Sequence, residues 1–192
     1  MRIDHVIWGT SDLDATADRL ALEHGLRATG GGRHDGLGTH NRIVPLGDGY
    51  LEILAIADPS EAAGSALGRA VTERLAIMGE GLLGWALQVD HVGPVAARLG
   101  TEISTITRQG LSARLTGVAE SMAEPCLPFF LERDPRNDDP GVGGNARGLT
   151  WVEVAGDRAR IEAWLGGADL PVRVREGEPA LLGVGIGDRE LR

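Results

Sequence analysis

The chain has 192 residues, of which 28 are acidic and 19 are basic, so its formal net charge is −9 at pH 7. A hydrophobic share of 42% excludes a wholly disordered chain, and the acidic balance argues against binding to nucleic acid or to anionic membranes. No apolar run reaches the roughly 18 residues of a membrane span, and a single cysteine, Cys126, excludes an internal disulfide. We expect a cytoplasmic protein with a small-molecule site.

The first predicted elements are a strand and a helix. Residues 3–8 alternate apolar and polar side chains and then run apolar, which is typical of a half-buried strand. Ser11 is a candidate helix N-cap, Leu13 and Leu20 lie on one face of the predicted helix, and Gly25 follows where the helix should end. The pattern therefore predicts a strand–helix unit at the start of the chain.

A hairpin and a second helix come next. Gly47-Asp48-Gly49 separates two apolar runs, which is a strong signal for an antiparallel hairpin. The second strand of this hairpin covers residues 50–56. A helix is then predicted from Ser65 to Met78, with Gly79 after it.

The strand–helix pattern then begins again twice. Residues 82–89 and 150–154 both predict strands, and each strand leads into a helix. When the leucines at the helix ends are aligned (Leu20, Leu99 and Leu165), the preceding strands superpose, without a gap in the first two copies. Such repetition indicates a duplicated supersecondary unit.

We therefore predict an α+β fold made of duplicated βαβββ units, with a third, partial strand–helix–hairpin unit at the C-terminus. The expected divisions are 1–80, 81–140 and 141–192, packed as one compact domain, and the last hairpin is expected around residues 176–179. The alternative is an unrelated α+β domain with its helices on one face.

Two residues with metal-binding side chains lie within apolar strands. His5 is in the first strand and Glu52 is in the strand over 50–56. A carboxylate is costly to bury unless it is paired, hydrogen-bonded or bound to a metal, and imidazole nitrogen with carboxylate oxygen is a common ligand set for divalent ions. We interpret His5 and Glu52 as candidate metal ligands. The alternative is a solvent-facing Glu52 and a His5 that is bonded to a backbone carbonyl.

Three consecutive polar residues, His40, Asn41 and Arg42, open another apolar strand. They could line a pocket for an anionic or carbonyl substrate, so we take them as candidate substrate-binding residues. The glycines at 30–32 precede them, but neither a lysine nor a helix start follows those glycines, so a phosphate-binding nucleotide loop is excluded.

The second copy of the repeated unit matches the His5 and Glu52 pair of the first copy only in part. His91 repeats the Asp-His-Val pattern around His5 but lies much nearer to its helix, so we expect it at a helix start on the surface. Gly84 takes the position equivalent to His5. Glu132 ends an apolar strand of the second copy, in a position like that of Glu52 in the first copy.

The ordered motifs resemble those of the vicinal oxygen chelate superfamily, and in particular its glyoxalase-like branch. They are Ile3-Asp4-His5-Val6, Gly31-Gly32-Arg33-His34, Gly38-Thr39-His40-Asn41 and Tyr50-Leu51-Glu52. Members include glyoxalase I, extradiol dioxygenases, methylmalonyl-CoA epimerase, fosfomycin-modifying enzymes and metal-free bleomycin-binding proteins. The resemblance implies metal ligands on the first and fourth strands of each unit, where His5, Glu52 and Glu132 match and Gly84 replaces a second histidine.

The resemblance also implies a function. A divalent ion on His5 and Glu52 would chelate vicinal oxygens of a small substrate and stabilise an enolate or oxyanion as a Lewis acid, in a lyase, isomerase or dioxygenase-type reaction. Glu132 is the candidate catalytic base. The alternative is a metal-free protein of the same fold that sequesters a small molecule. The expected partner is a small-molecule substrate, with no nucleic acid and no membrane, and a homodimer is left open.

Overall fold

The structure, a computed structural model, describes residues 1–108, 111–143 and 148–192. The first unit consists of β1 (Arg2–Gly9), α1 (Leu13–His24), β2 (Gly30–Arg33), β3 (Thr39–Pro45) and β4 (Tyr50–Ile56). Two helices, α2 (Pro59–Gly64) and α3 (Ala66–Met78), lead to the second unit. That unit consists of β5 (Gly81–Gln88), α4 (Val92–Leu99), β6 (Ile103–Arg108), β7 (Leu111–Thr116), α5 (Val118–Ala123) and β8 (Phe129–Arg133).

The two units form one sheet, which has eight strands in the described ranges, in the order β2-β3-β4-β1-β5-β8-β7-β6. Within each unit the first strand pairs in parallel with the last, β1 with β4 and β5 with β8. The antiparallel pairing of β1 with β5 joins the units. The predicted duplication of a βαβββ unit is confirmed.

The C-terminal unit forms a second sheet in the order β10-β9-β11-β12. Its elements are β9 (Leu149–Ala155), α6 (Arg158–Leu165), β10 (Val172–Arg175), β11 (Ala180–Ile186) and β12 (Arg189–Leu191). A strand, a helix and a hairpin are present as predicted, but the hairpin joins β11 to β12. The turn at 176–179 instead connects β10 and β11, which lie on opposite sides of β9. The divisions after residues 80 and 140 stay a prediction.

The helices begin and end close to the predicted positions. The N-cap of α1 is Asp12 rather than Ser11, because the Asp12 side chain accepts a hydrogen bond from the Ala15 backbone. Gly25 ends α1 in the left-handed conformation, and Ser65 caps α3 as expected. No helix in the described ranges is both long and apolar enough to cross a membrane.

The large sheet is covered on both faces. We call the face that carries His5, Ile7 and Glu52 the inner face, and the face that carries Val6 and Trp85 the outer face. Side chains of α1, α4, α6 and the second sheet pack on the outer face, whereas α3 and α5 pack on the inner face. The sheet curls until its two ends meet, where the Asp35 backbone N–H donates to the Thr107 carbonyl over 3.2 Å. The curl encloses a space over the inner face.

Candidate functional site

A cavity of about 140 Å³ lies over the inner face of the sheet. Both βαβββ units and α3 line it. Most of its wall is apolar, and a group of polar side chains lies on β1, β4, β8 and the chain around β2 and β3. The polar side chains used below are His5, His34, Asn41, Tyr50, Glu52 and Arg133.

The structure brings His5 and Glu52 together in this cavity. β1 and β4 are parallel neighbours in which Ile7 pairs with Glu52, and alternation along β1 places His5 on the same face as Ile7. The Nε2 atom of His5 lies 3.4 Å from the Oε2 atom of Glu52, and only 5% and 9% of the two side chains are exposed. Two ligands of one tetrahedral zinc ion lie about 3.4 Å apart, given metal–nitrogen and metal–oxygen bonds of about 2.1 Å. The spacing therefore fits two ligands of one divalent ion.

Asp4 fixes the orientation of the His5 ring. The Nδ1 atom of His5 lies 2.7 Å from the Oδ2 atom of Asp4, which has no exposed surface. The pairing of β1 with β5 shifts register between Ile3 and His5, so a β-bulge brings the Asp4 carboxylate beside the neighbouring imidazole. With the Nδ1 proton on this hydrogen bond, the Nε2 lone pair faces Glu52, as in histidine ligands supported by a carboxylate.

Arg133 on β8 ties Asp4 to the second unit. Its Nη2 atom donates to both carboxylate oxygens of Asp4, at 2.8 and 2.9 Å. Burial alone would raise the pKa of Asp4, but the hydrogen bond from His5, together with the positive charge and the hydrogen bonds of Arg133, lowers it to about 2. The Asp4 carboxylate is therefore ionised at neutral pH and accepts the hydrogen bond from His5.

Two aromatic rings hold the imidazole in place. Tyr50 stacks on His5 with ring centroids 4.6 Å apart, and Phe129 meets the same ring edge-on at 5.5 Å. Burial, together with the nearby negative charges of Asp4 and Glu52, raises the pKa of Tyr50 well above its ordinary value. Tyr50 is therefore a neutral phenol that packs against His5.

Asn41 and His34 complete the polar group. The Asn41 side-chain amide donates to the Oε1 atom of Glu52 over 2.5 Å, which leaves Oε2 facing His5. The His34 Nε2 atom lies 3.2 Å from that amide nitrogen and 3.7 Å from Oε1 of Glu52, while its Nδ1 atom lies 2.8 Å from the Thr39 hydroxyl. The second histidine of the site therefore comes from the end of β2, not from the position of Gly84.

The donor set for a metal is nevertheless small. Across residues 1–108, 111–143 and 148–192, no three histidine, cysteine, aspartate or glutamate side chains are arranged as ligands of one metal ion. His5 and Glu52 would supply two ligands, and the other positions would fall to water or to substrate oxygens. Such a set fits an open, substrate-binding ion better than a closed structural one.

A glycine allows Asn41 to reach this position. Gly31 on β2 has φ of 139°, and a Cβ atom there would lie 2.0 Å from the backbone oxygen of Asn41. Only a residue without a side chain can approach β3 so closely. The neighbouring Gly32 backbone N–H then donates to the Asn41 side-chain oxygen over 3.0 Å, which fixes the amide with its nitrogen toward Glu52.

The other two candidate substrate-binding residues lie outside the cavity. Side chains alternate along β3, so His40 and Arg42 lie on the opposite face from Asn41. Arg42 pairs with Asp14 of α1 at 2.7 Å. Partial burial and the charges of Arg33 and Arg42 lower the pKa of His40. The structure thus corrects the prediction for His40 and Arg42.

Glu132 also lies away from the cavity. It alternates along β8 with Leu131 and Arg133, which line the cavity, and so points to the outer face. Its Oε2 atom accepts from the Val92 backbone N–H at 2.9 Å, at the start of α4, and this hydrogen bond lowers the pKa of Glu132. The geometry corrects the expectation that Glu132 is the base. The side chain of His91 is 78% exposed and lies at the start of α4, on the surface, as predicted; the residue occupies the N-cap position.

Sequence reasoning did not assign His34, Asp4 or Arg133. His34 was visible as the last residue of the Gly31-Gly32-Arg33-His34 motif, at the end of a glycine-rich strand. Arg133 carried no signal, since its role depends on which face of β8 it occupies. Asp4 was hidden by the bulge that places it beside His5.

The fold is shared with solved structures. A hypothetical protein from Staphylococcus aureus matches with a TM-score of 0.69 and 13% identity, over 94% of this chain and 88% of that one. A Streptomyces coelicolor methylmalonyl-CoA epimerase variant in complex with 2-nitronate-propionyl-CoA matches with a TM-score of 0.54 and 20% identity, over 72% and 98% of the two chains. The epimerase from Mycobacterium tuberculosis gives 0.52 and 17%, over 71% and 89%.

Family comparison covers most of the chain. A comparison with curated proteins gives no match. A family model described as a glyoxalase-like domain matches residues 3–167, which include both βαβββ units, the cavity, and β9 and α6 of the third unit. The chain therefore belongs to the glyoxalase-like domain family, within the vicinal oxygen chelate superfamily.

Proposed function

We propose that the protein is a divalent-metal-dependent enzyme that acts on a small substrate with vicinal oxygens, and that His5 and Glu52 hold the ion. One observation carries the proposal: the Nε2 atom of His5 and the Oε2 atom of Glu52 face each other at 3.4 Å in a largely apolar cavity. Family membership supports an enzyme of this type, and the likeness in fold to epimerases supports a small-molecule substrate.

Each polar neighbour has a defined part in this proposal. Asp4 keeps the His5 proton on Nδ1, so Nε2 stays available as a ligand. Asn41 holds Oε1 of Glu52 and turns Oε2 toward His5. A divalent ion bound there supplies Lewis-acid stabilisation of negative charge on a substrate oxygen. The largely apolar lining of the cavity excludes water and strengthens these electrostatic interactions.

The ionisation of the site supports binding of a cation. Asp4 and Arg133 neutralise one another, which leaves Glu52 as the carboxylate that faces His5. A carboxylate that is 9% exposed is costly to bury; Asn41 hydrogen-bonds its Oε1 atom, and a divalent ion between Oε2 and His5 would compensate its charge. Glu132 has no part in this proposal because it contacts α4 instead.

The alternative function is binding and sequestration of a small molecule without a metal. The small number of side-chain ligands in the described ranges favours this alternative. In that case a protonated His5 would donate to Glu52 directly, and the pair would form the polar end of a binding cavity.

Metal content distinguishes the two functions. Wild-type protein incubated with Zn²⁺, Mn²⁺ or Co²⁺ and then desalted should retain about one ion per chain. His5→Ala and Glu52→Gln should each retain little, whereas His91→Ala, which changes an exposed histidine, should retain as much as wild type. Wild-type protein that holds none of the three ions at micromolar concentration would favour the sequestering function.

A further inference from the structure

The lining of the cavity is polar at the His5–Glu52 pair and apolar beyond it. Along β1 and β4, which run in parallel, the polar residues are followed two positions later by Ile7 and Leu54. These two belong to a hydrophobic cluster that continues across α3, β5 and α5. We use the name apolar wall for six of its cavity-lining members: Ile7, Leu54, Leu67, Val71, Leu83 and Met122. A ligand bound at His5 and Glu52 therefore has an apolar surface beside it.

Among the described residues, no arginine that lines the cavity has an uncompensated charge that could bind an anionic group of the ligand. Among its described lining residues the only arginine is Arg133, whose Nη2 atom is bonded to both oxygens of Asp4. The Nε atom of Arg133 is buried without a hydrogen-bond partner, and the carboxylate of Asp4 already balances the charge of this arginine. The sequence contains no lysine and has a net charge of −9. A second carboxylate or phosphate would lie against the apolar wall without a counter-charge, which is strongly unfavourable.

We propose that the substrate carries its two neighbouring oxygens at one end of an uncharged, apolar chain or ring, and that the site rejects compounds with an anionic group at the other end. This inference rests on the proposed function for the oxygen-binding end. It adds the chemical class of the remainder of the substrate, which packs on the apolar wall.

Alkyl hydroxamates test the inference on the metal-loaded protein, because each presents two adjacent oxygens to a divalent ion. Calorimetric titration would compare acetohydroxamate, hexanohydroxamate and octanohydroxamate with suberic acid monohydroxamate. In this last probe a carboxylate replaces the terminal methyl group of octanohydroxamate. Affinity should rise about threefold to fourfold per methylene until the cavity is filled, and the carboxylate should weaken binding by at least about thirtyfold. Equal affinity along the series, or equal affinity of the two eight-carbon probes, would overturn the inference.

A second series separates this inference from the metal proposal. On protein stripped with chelator, 1-butanol, 1-hexanol and 1-octanol carry the tail without the chelating head. Thermal shift titration should show the same increase in affinity per methylene, even if the protein proves to hold no metal. Alkanol binding that does not depend on chain length would overturn the inference, whatever the metal result.

Variants of α3 locate the tail. Leu67 is half-buried, so the Leu67→Gln variant should fold. It should lower the affinity for octanohydroxamate by about threefold or more and leave the affinity for acetohydroxamate unchanged. Val71→Thr, a change of nearly equal volume, is the second variant, with the same expectation. Ile77→Gln is the matched control, because Ile77 lies on the same helix and is 86% exposed. Wild-type affinity for octanohydroxamate in both wall variants would contradict packing of the tail on α3.

Discussion

The Nδ1 atom of His5 is hydrogen-bonded to the carboxylate of Asp4, its immediate neighbour in β1, over 2.7 Å. Adjacent residues of a regular strand point to opposite faces, so this contact depends on the register shift between Ile3 and His5. The bulge gives the ring a fixed orientation, with Nε2 directed toward Glu52 on the next strand. Backbone irregularity at one residue thus sets the direction of the candidate metal ligand.

Asp4→Asn should weaken both metal binding and the fold. The amide still accepts from His5 but carries no charge, so the affinity for a divalent ion should fall about tenfold to a hundredfold. Arg133, whose side chain is 14% exposed, loses its ion-pair partner, and the free energy of unfolding should fall by about 3 kcal/mol. Urea denaturation and metal titration measure the two effects.

Asp48→Asn is the matched control for this change. Asp48 pairs with Arg2 but is 82% exposed, so the loss should be below about 1 kcal/mol and metal affinity should stay the same. Equal effects of the two substitutions would show that the Asp4–His5 contact has no special part in the site.

Acid should remove the contribution of Asp4 to stability. Its pKa is lowered from 3.8 to about 2 in the folded protein, so the carboxylate stabilises the fold above pH 3.8 and this contribution is lost as the pH falls through 2. The shift corresponds to about 2 kcal/mol. Between about pH 5 and pH 2, metal-free wild type should therefore lose 1 to 2 kcal/mol more than Asp4→Asn. Parallel pH profiles of the two proteins would contradict the assignment.

The sequence predicted the fold better than the site, for a physical reason. Long amphipathic segments and their glycine ends fix which elements form, and the repeated strand–helix order fixes how they pair. His5 and Glu52 were found because polar side chains are conspicuous in apolar strands. Glu132 has the same appearance, yet it points outward, since one residue of register along a strand reverses the face. The bulge at Asp4 and the position of His34 depend on contacts between strands, which a single sequence does not display.

Glu132→Gln tests the corrected position of this residue. Its carboxylate accepts from the first turn of α4 and pairs with Arg114, so loss of the charge should lower the free energy of unfolding by about 1 kcal/mol or less. Metal and hydroxamate affinity should stay within twofold of wild type, in contrast to Glu52→Gln. Loss of ligand binding with an intact fold would return Glu132 to the site.

Gly31→Ala should disturb the site through Asn41. The new methyl group would overlap the Asn41 backbone oxygen at 2.0 Å, and the φ of 139° is unfavourable for alanine. We expect the free energy of unfolding to fall by about 2 kcal/mol and metal affinity to fall with it. Gly30→Ala is the control, because a Cβ atom at Gly30 meets nothing within 4 Å. Its stability should stay within about 0.5 kcal/mol of wild type, and similar losses in both variants would argue against a close approach of β2 to Asn41.

The most direct test of the metal proposal is the melting temperature with and without chelator, in wild type and in His5→Ala. An ion present at about a hundred times its dissociation constant stabilises the native state by about 2.7 kcal/mol, which is about 5–10 °C for a domain of this size. Chelator should therefore lower the melting temperature of metal-loaded wild type by that amount and leave His5→Ala unchanged. A wild type whose melting temperature is the same with added metal and with chelator would contradict the account.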